Sequence, residues 1–160
     1  GIRVKYDNSD HARPGWKFAE YELKGVPIRI AIGARDLENK QVELARRDTK
    51  EKSAVAMEGL TQTVENLLVE IQNNLFERAK QYRDEHITKV DTWDEFMQVL
   101  DTKGGFISAH WDGTAETEDK IKELAKATIR CIPLDNVLEN GKCVLTGNAS
   151  TQRVLFARAY

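Results

Sequence analysis

The amino-acid sequence predicts an α+β fold with α/β character: a mixed sheet packed by helices over residues 1–88, then a small α+β unit over residues 89–160. Three observations predict it. Apolar residues alternate with polar ones in short runs bounded by turn residues, as half-buried strands require. One long run instead repeats its apolar residues at three and four, the spacing of an amphipathic helix. After a break at Thr88–Asp91, short helix and strand signals begin again.

In chain order, Gly1–Tyr6 alternates Ile2, Val4 and Tyr6 with Arg3 and Lys5 and reads as a strand. Asp7–Asp10 is turn chemistry, His11 falls in this polar loop, and Pro14 suits the first turn of a helix. Trp16, Phe18, Tyr21 and Leu23 give that helix its apolar bulk, and Gly25 suits a left-handed cap. Val26, Ile28, Ile30 and Ile32 then form a period-two strand, with Pro27 near its start and Arg29 on the less apolar face. Gly33–Asp36 reads as a charged turn into a second strand, Gln41–Ala45, and Ser53–Met57 as a short third strand. Leu60, Val64, Leu67, Leu68, Ile71, Leu75, Phe76, Ala79 and Tyr82 mark the long helix, expected to cover one face of this sheet.

In the second unit Asp91 or Thr92 can cap a helix carrying Trp93, Phe96, Met97 and Leu100, which Gly104-Gly105 ends. A strand follows over Phe106–Trp111, a helix around Glu116–Ala127, a strand near Thr128–Pro133, and strands at Lys142–Leu145 and Gln152–Ala159. The expected core is Trp93, Phe96, Phe106, Trp111, Ile129, Leu155 and Phe156, with Cys131 as a small buried apolar residue.

Composition excludes several classes. The chain has 160 residues, charges that nearly balance, and a formal net charge of -2. That argues against a general nucleic-acid clamp, which would be basic, and leaves room for local recognition of a few bases. No apolar run approaches the ~20 residues of a membrane span, and no signal peptide opens the sequence. Cys131 and Cys143 cannot form a disulfide framework, and a reducing cytoplasm fits best. No glycine-rich phosphate loop and no Ser/His/Asp set with supporting spacing is present.

What chemistry the sequence does carry lies in Glu20, Glu22, Arg29, Arg35, Asp36, Arg46 and Arg47, set near the ends of elements. Guanine offers N1–H and N2–H donors that a carboxylate accepts as a pair, and O6 and N7 acceptors that suit Arg or Lys. A surface carrying both residue types can read unpaired guanines. By residue type alone, the same set is also what a solvated, salt-bridged sheet face looks like.

The order of the residues adds to this. RPGWKFAEYELKGVPIRIAIGARDLEN, then ELARRDTKEK and EGLTQTVENLLVEIQNNLFERA, resembles the anticodon-binding domain of prolyl-tRNA synthetases, closest to the type shared by archaea, eukaryotes and some bacteria. The ending, IRCIPL through GKCVLTGN to RVLFARAY, resembles the extra C-terminal domain of that type. The resemblance covers essentially the whole chain. It implies a class II synthetase anticodon-binding fold that lacks its first strand–helix unit here, normally including a central strand. It also implies a catalytic domain upstream that holds ATP and Mg, a parent homodimer, and tRNA(Pro) as partner.

For the site, the resemblance places Glu22 and Arg29 at one anticodon guanine and Arg35 with Asp36 at the other, with Arg47 and Lys50 as backbone or edge contacts. It implies that the carboxylate of a terminal Tyr160 points toward the catalytic site of the parent. Many relatives also bind zinc in the C-terminal domain through two pairs of cysteines. Those positions fall here near Asp112 and Thr117, at Cys143, and at Leu145 or Thr146, so zinc is not expected and no cofactor is assigned. Two functions stay open: an RNA-binding module that reads the anticodon, and an interaction module that docks on the catalytic domain or a dimer partner without reading RNA.

Overall fold

Alternation in Gln41–Arg46 puts Val42 and Leu44 on one side of a strand, and in the computed structural model both are buried in the middle of a three-stranded sheet. The structure describes residues 1–158, and the chain divides into two units, Gly1–Ala79 and a second beginning at Lys80.

In the first unit α1 (Pro14–Leu23) starts on Pro14 and ends at Gly25, whose φ of 81° is the left-handed conformation expected of it. β1 (Ile28–Ala31) follows, then α2 (Ala34–Glu38), β2 (Gln41–Arg46), β3 (Lys52–Ala56) and α3 (Leu60–Glu85), which runs on past the unit boundary. The sheet order is β1-β2-β3, antiparallel throughout, with Ile30 opposite Leu44 and Val42 opposite Val55. Gly33–Asp36, read as a turn, thus opens a short helix that runs to Glu38, begun where the Asp36 carboxylate accepts from Gly33 N at 2.8 Å.

The long helix buries Val64 and Ile71, seven residues apart on one face, and half-buries Leu67, Leu68 and Leu75. Asn74 Nδ2 also donates to Asp48 at 2.7 Å, tying α3 to the turn between β2 and β3. Phe76 and Tyr82, expected in the core, are 59% and 65% exposed, so the apolar stripe outruns the surface that covers it.

Gly1–Tyr6 is a further correction. The segment forms no strand, and Val4 and Tyr6 are 83% and 78% exposed. A strand needs a neighbour to take its backbone hydrogen bonds, and among the described residues it has none. The polar loop after it is fixed instead, because Asp7 accepts from Lys17 Nζ and Tyr21 Oη, both at 3.0 Å.

The second unit holds β4 (Ile87–Lys89), α4 (Trp93–Thr102), β5 (Phe106–His110), α5 (Ala115–Ala125), β6 (Ala127–Cys131), β7 (Gly141–Lys142), β8 (Ala149–Ser150) and β9 (Arg153–Arg158). Thr88 and Lys89, read as a hinge, lie in β4, which pairs parallel to β5. Thr92 caps α4 through a reciprocal pair: its Oγ1 accepts from Glu95 N, and Glu95 accepts from Thr92 N. The main sheet has the order β4-β5-β9-β6, while β7 and β8 form a separate two-stranded ribbon. Phe96 and Phe156 meet edge to face at 5.3 Å, with Ile107, Ile121 and Val154 fully buried around them.

Of the expected core, Phe106 is 37% exposed. Cys131 is exposed and Cys143 is the buried thiol. A register shift between Ile129 and Cys131 on edge strand β6 breaks the alternation that would have pointed Cys131 inward.

One guanidinium holds the open end of this sheet. Arg153 is 9% exposed, donates to Val90 O at 2.8 Å and Ser108 O at 3.2 Å, and pairs with Asp91 and Glu139. Arg153, with help from Lys89, holds the Glu139 carboxyl down from 4.5 to about 2. A carboxyl depressed in the folded state adds stability above its ordinary value and loses it as pH falls. Arg153→Met should therefore cost about 1–3 kcal/mol in chemical denaturation. It should also flatten the acid destabilisation between pH 4.5 and 2. An unaltered acid-unfolding profile in Arg153→Met would contradict this account.

Candidate nucleic-acid interface

The tight connection from β2 to β3 decides where the charged residues of the first unit go. Arg46 N donates to Glu51 O at 3.0 Å and Lys50 N to Arg46 O at 3.1 Å, with Lys50 at a positive φ of 64°. Inside this turn the Asp48 side chain is 1% exposed and takes a two-pronged contact from Arg46, Nε at 3.1 Å and Nη2 at 2.9 Å. Arg46, then the Asn74 amide, holds the Asp48 carboxyl well below the usual carboxylate range despite its burial. The locked turn presents Arg47 and Lys50 outward. Arg47 is further fixed through its backbone, N donating to Pro27 O at 2.9 Å beside the start of β1.

Lys50 reaches Glu22 at the end of α1, Nζ to Oε2 at 2.6 Å, in a pair whose side chains are 63% and 43% exposed. The Lys50 hydrogen bond, supported by the charges of Arg29 and Arg47, holds the Glu22 carboxyl below its ordinary value. Glu22, Arg29, Arg47 and Lys50 thus form one cluster at the start of β1. Arg29, however, is spoken for: its side chain is 16% exposed, lies 3.5 Å over the Phe18 ring and donates to Glu43 at 3.2 Å.

Arg35 and Asp36 lie beyond the other end of β1, separated from the cluster by four strand residues, about 13 Å of chain. Arg35 is exposed. The structure therefore brings Glu22, Arg47 and Lys50 together around Arg29, and sets the Arg35–Asp36 pair apart. Tyr160 lies outside the described residues.

Beside the cluster is a concave surface of about 320 Å³ whose lining includes Gly25, Pro27, Arg47, Asp48 and, from α3, Arg78. Two guanidiniums, Arg47 and Arg78, thus line it, and a guanidinium is a residue type that can donate in pairs to phosphate oxygens. Sequence reasoning missed Glu43, Asp48 and Arg78. Glu43 follows only once the register is known: Arg29 pairs with Ala45, so Glu43 two residues away shares its face. Asp48 carried no signal, because nothing in ARRDTKEK distinguishes a buried aspartate from a solvated one.

Among the described residues no group of three or more His, Cys, Asp or Glu side chains is placed to hold a metal ion, and no helix is long and apolar enough to cross a membrane. Of the positions that the resemblance sets against zinc ligands, Asp112, Thr117 and Thr146 (the last an alternative to Leu145) do meet, but through hydrogen bonds, and the only thiol among them is Cys143. This donor set does not suit zinc.

Residues 1–67 match the family model described as anticodon binding domain, and residues 93–160 match that of the prolyl-tRNA synthetase C-terminal region. The proline–tRNA ligase of Christiangramia forsetii is 61% identical over 160 residues, covering 100% of this chain and 32% of the relative. One from Porphyromonas gingivalis shows the same identity and shares, and one from Cytophaga hutchinsonii is 62% identical over 159 residues, 99% of this chain and 32% of the relative. The chain spans about a third of the length of these relatives. Two separate parts of the chain are thus similar to known families, the first to the anticodon binding domain and the second to the prolyl-tRNA synthetase C-terminal region.

If Lys50 is what holds the Glu22 proton off, Lys50→Ala should move the Glu22 titration up toward the ordinary carboxylate range. Side-chain carboxyl NMR across an acid titration reads this directly. A Glu22 curve identical in wild type and variant would show that Arg29 and Arg47 carry the effect instead.

Proposed function

We propose that this chain is the C-terminal third of a proline–tRNA ligase, an ATP-dependent class II aminoacyl-tRNA synthetase, and that its first unit reads the anticodon of tRNA(Pro). The observation that carries the reading is the exposed Glu22–Lys50 pair, flanked by Arg47 at the mouth of a concave surface that also bears Arg78. The high identity to relatives named proline–tRNA ligase supports the assignment of the parent. In that setting ATP and Mg belong to the catalytic domain, the parent is a cytoplasmic homodimer, and the subtype is the one shared by archaea, eukaryotes and some bacteria.

Every proline anticodon has two adjacent guanines, because proline codons begin CC. An exposed ion pair is worth only about 0–1 kcal/mol, so a guanine can displace Lys50 from Glu22 at little cost. Glu22 then accepts the guanine N1–H and N2–H, while Lys50 and Arg47 turn to phosphate or to O6 and N7. The second guanine falls to Arg35. Asp36 supports it while its Oδ2 stays on Gly33 N. Separation of the two groups along β1 requires the two bases to be splayed apart rather than stacked, as single-stranded RNA allows.

One observation favours the alternative, a module that docks on protein without reading RNA. Arg29, assigned to a guanine by resemblance, is engaged by Phe18 and Glu43. It acts here as the post that holds α1 against the sheet and so positions Glu22.

The test is binding by the full-length enzyme to tRNA(Pro) with each anticodon guanine replaced in turn. Glu22→Gln and Arg35→Ala should each cost about 1–3 kcal/mol on the native anticodon and relax discrimination at one position only. Asp36→Ala should follow Arg35→Ala in position but lose less, and Arg29→Ala should follow Glu22→Gln. Lys50→Ala should weaken all RNAs alike and flatten the salt dependence. Equal losses on native and substituted anticodons would show that these residues support the fold, and would favour the docking reading.

A further inference from the structure

In the second unit, three short pieces of chain converge on a single carboxylate. Asp112, just after β5, accepts at Oδ1 from Thr114 Oγ1 at 2.9 Å and from Thr114 N at 3.3 Å. Its Oδ2 accepts from Thr117 Oγ1 at 3.0 Å, Thr146 Oγ1 at 2.8 Å and Asn148 Nδ2 at 3.3 Å. A carboxylate offers about four lone-pair sites, so these five donors saturate it. Thr117, on the first turn of α5, is 4% exposed.

The far side of the junction is a closed loop. Gly147 N donates to Cys143 O at 2.9 Å and Cys143 N donates to Asn148 O at 2.8 Å, with Gly147 at a φ of 73°. This folds 143–148 back on itself and aims Thr146 and Asn148 at the same oxygen. Val144 N also donates to His110 O at 3.0 Å, so the loop lies along the end of β5.

We infer that Asp112 is the centre of a metal-free clasp that stands where relatives of this family place a zinc ion. By resemblance the corresponding positions fall near 112 and 117, at 143, and at 145 or 146, and here the Thr117 and Thr146 hydroxyls both donate to the Asp112 carboxylate. Threonine hydroxyls are poor ligands for zinc, and the carboxylate has no acceptor site left over. The clasp does mechanically what the metal would do: it cross-links 112–117 to 143–148 and closes the chain between them. It does so with one negative charge and neutral donors, so no cation is needed. This inference is independent of anticodon reading, and its test does not involve RNA.

The test compares three proteins in intact form by thermal unfolding and elemental analysis. Wild type should hold no stoichiometric zinc and should melt at the same temperature with and without excess EDTA. One zinc per chain, or a chelator-dependent melting temperature, overturns the inference. Asp112→Asn replaces an acceptor with a donor facing donors and should lower the melting temperature by about 5 °C or more, again without effect of EDTA. An unchanged melting temperature overturns it. The third protein carries Asp112→Cys, Thr117→Cys and Thr146→Cys beside native Cys143. If the clasp stands in the place of the metal, this variant should bind one cobalt(II) with the absorption of a tetrahedral thiolate site. Zinc should raise its melting temperature, or refold it if it is unfolded when metal-free. Failure to take up metal, or to fold with zinc present, overturns the placement of the clasp.

Discussion

A carboxylate withdrawn from water must be given donors, and much of this structure is arranged around that requirement. Asp48 is the first case. With its side chain 1% exposed, it would be untenable as an anion without the two-pronged Arg46 contact and the Asn74 amide. Meeting that need fixes the turn between β2 and β3, and ties α3 to the sheet. Asp112 is the second case: burial pushes its carboxyl up, but hydrogen bonds from Thr146, Thr114 and Thr117 bring it down to about 2. Arg153 is the converse, a buried cation given two carbonyls and two acids.

The same rule separates framework charges from those free to bind. Asp48 and Arg153 are expensive to unpair, because the group left behind stays out of water. Glu22 and Lys50 are cheap to unpair, since both return to solvent. A recognition surface needs groups of the second kind, held in place by groups of the first. Here the buried Asp48–Arg46 pair orients the turn that presents Lys50, and the Arg29–Phe18–Glu43 contact orients the helix that presents Glu22.

How much of this was legible in the sequence follows from what each signal measures. Periodicity reports burial on one face, so β1, β2, α4 and β9 were found near their observed places. It cannot report whether a neighbour is present. Among the described residues Gly1–Tyr6 has the alternation of a strand but nothing to pair with, and Phe76 and Tyr82 have the spacing of a core without a cover. Cys131 failed because a bulge resets the alternation one residue before it matters. In the site, residue types and family order picked out Glu22, Arg47 and Lys50, which the fold does gather. Partnering was the illegible part: the register of β1 on β2 decides that Arg29 meets Glu43, and the placing of the end of α1 beside the β2–β3 turn decides that Glu22 meets Lys50.

The second unit shows how such a requirement can be met in different materials. Closing the chain between residues 112 and 146 needs a junction that several segments prefer to share over water. Four thiolates around a divalent ion provide one, at the cost of ligands that must all be deprotonated. A single ionised carboxylate with neutral donors provides another, and it needs one proton removed rather than four. Its bonds are individually weak, so geometry must supply the strength. The left-handed Gly147, the Thr114 cap on α5 and the Val144–His110 bond fix the donors before the carboxylate is counted. A junction of this kind draws its stability from both parts: the preorganised loops hold the donors in place, and the ionised carboxylate gives them one shared acceptor.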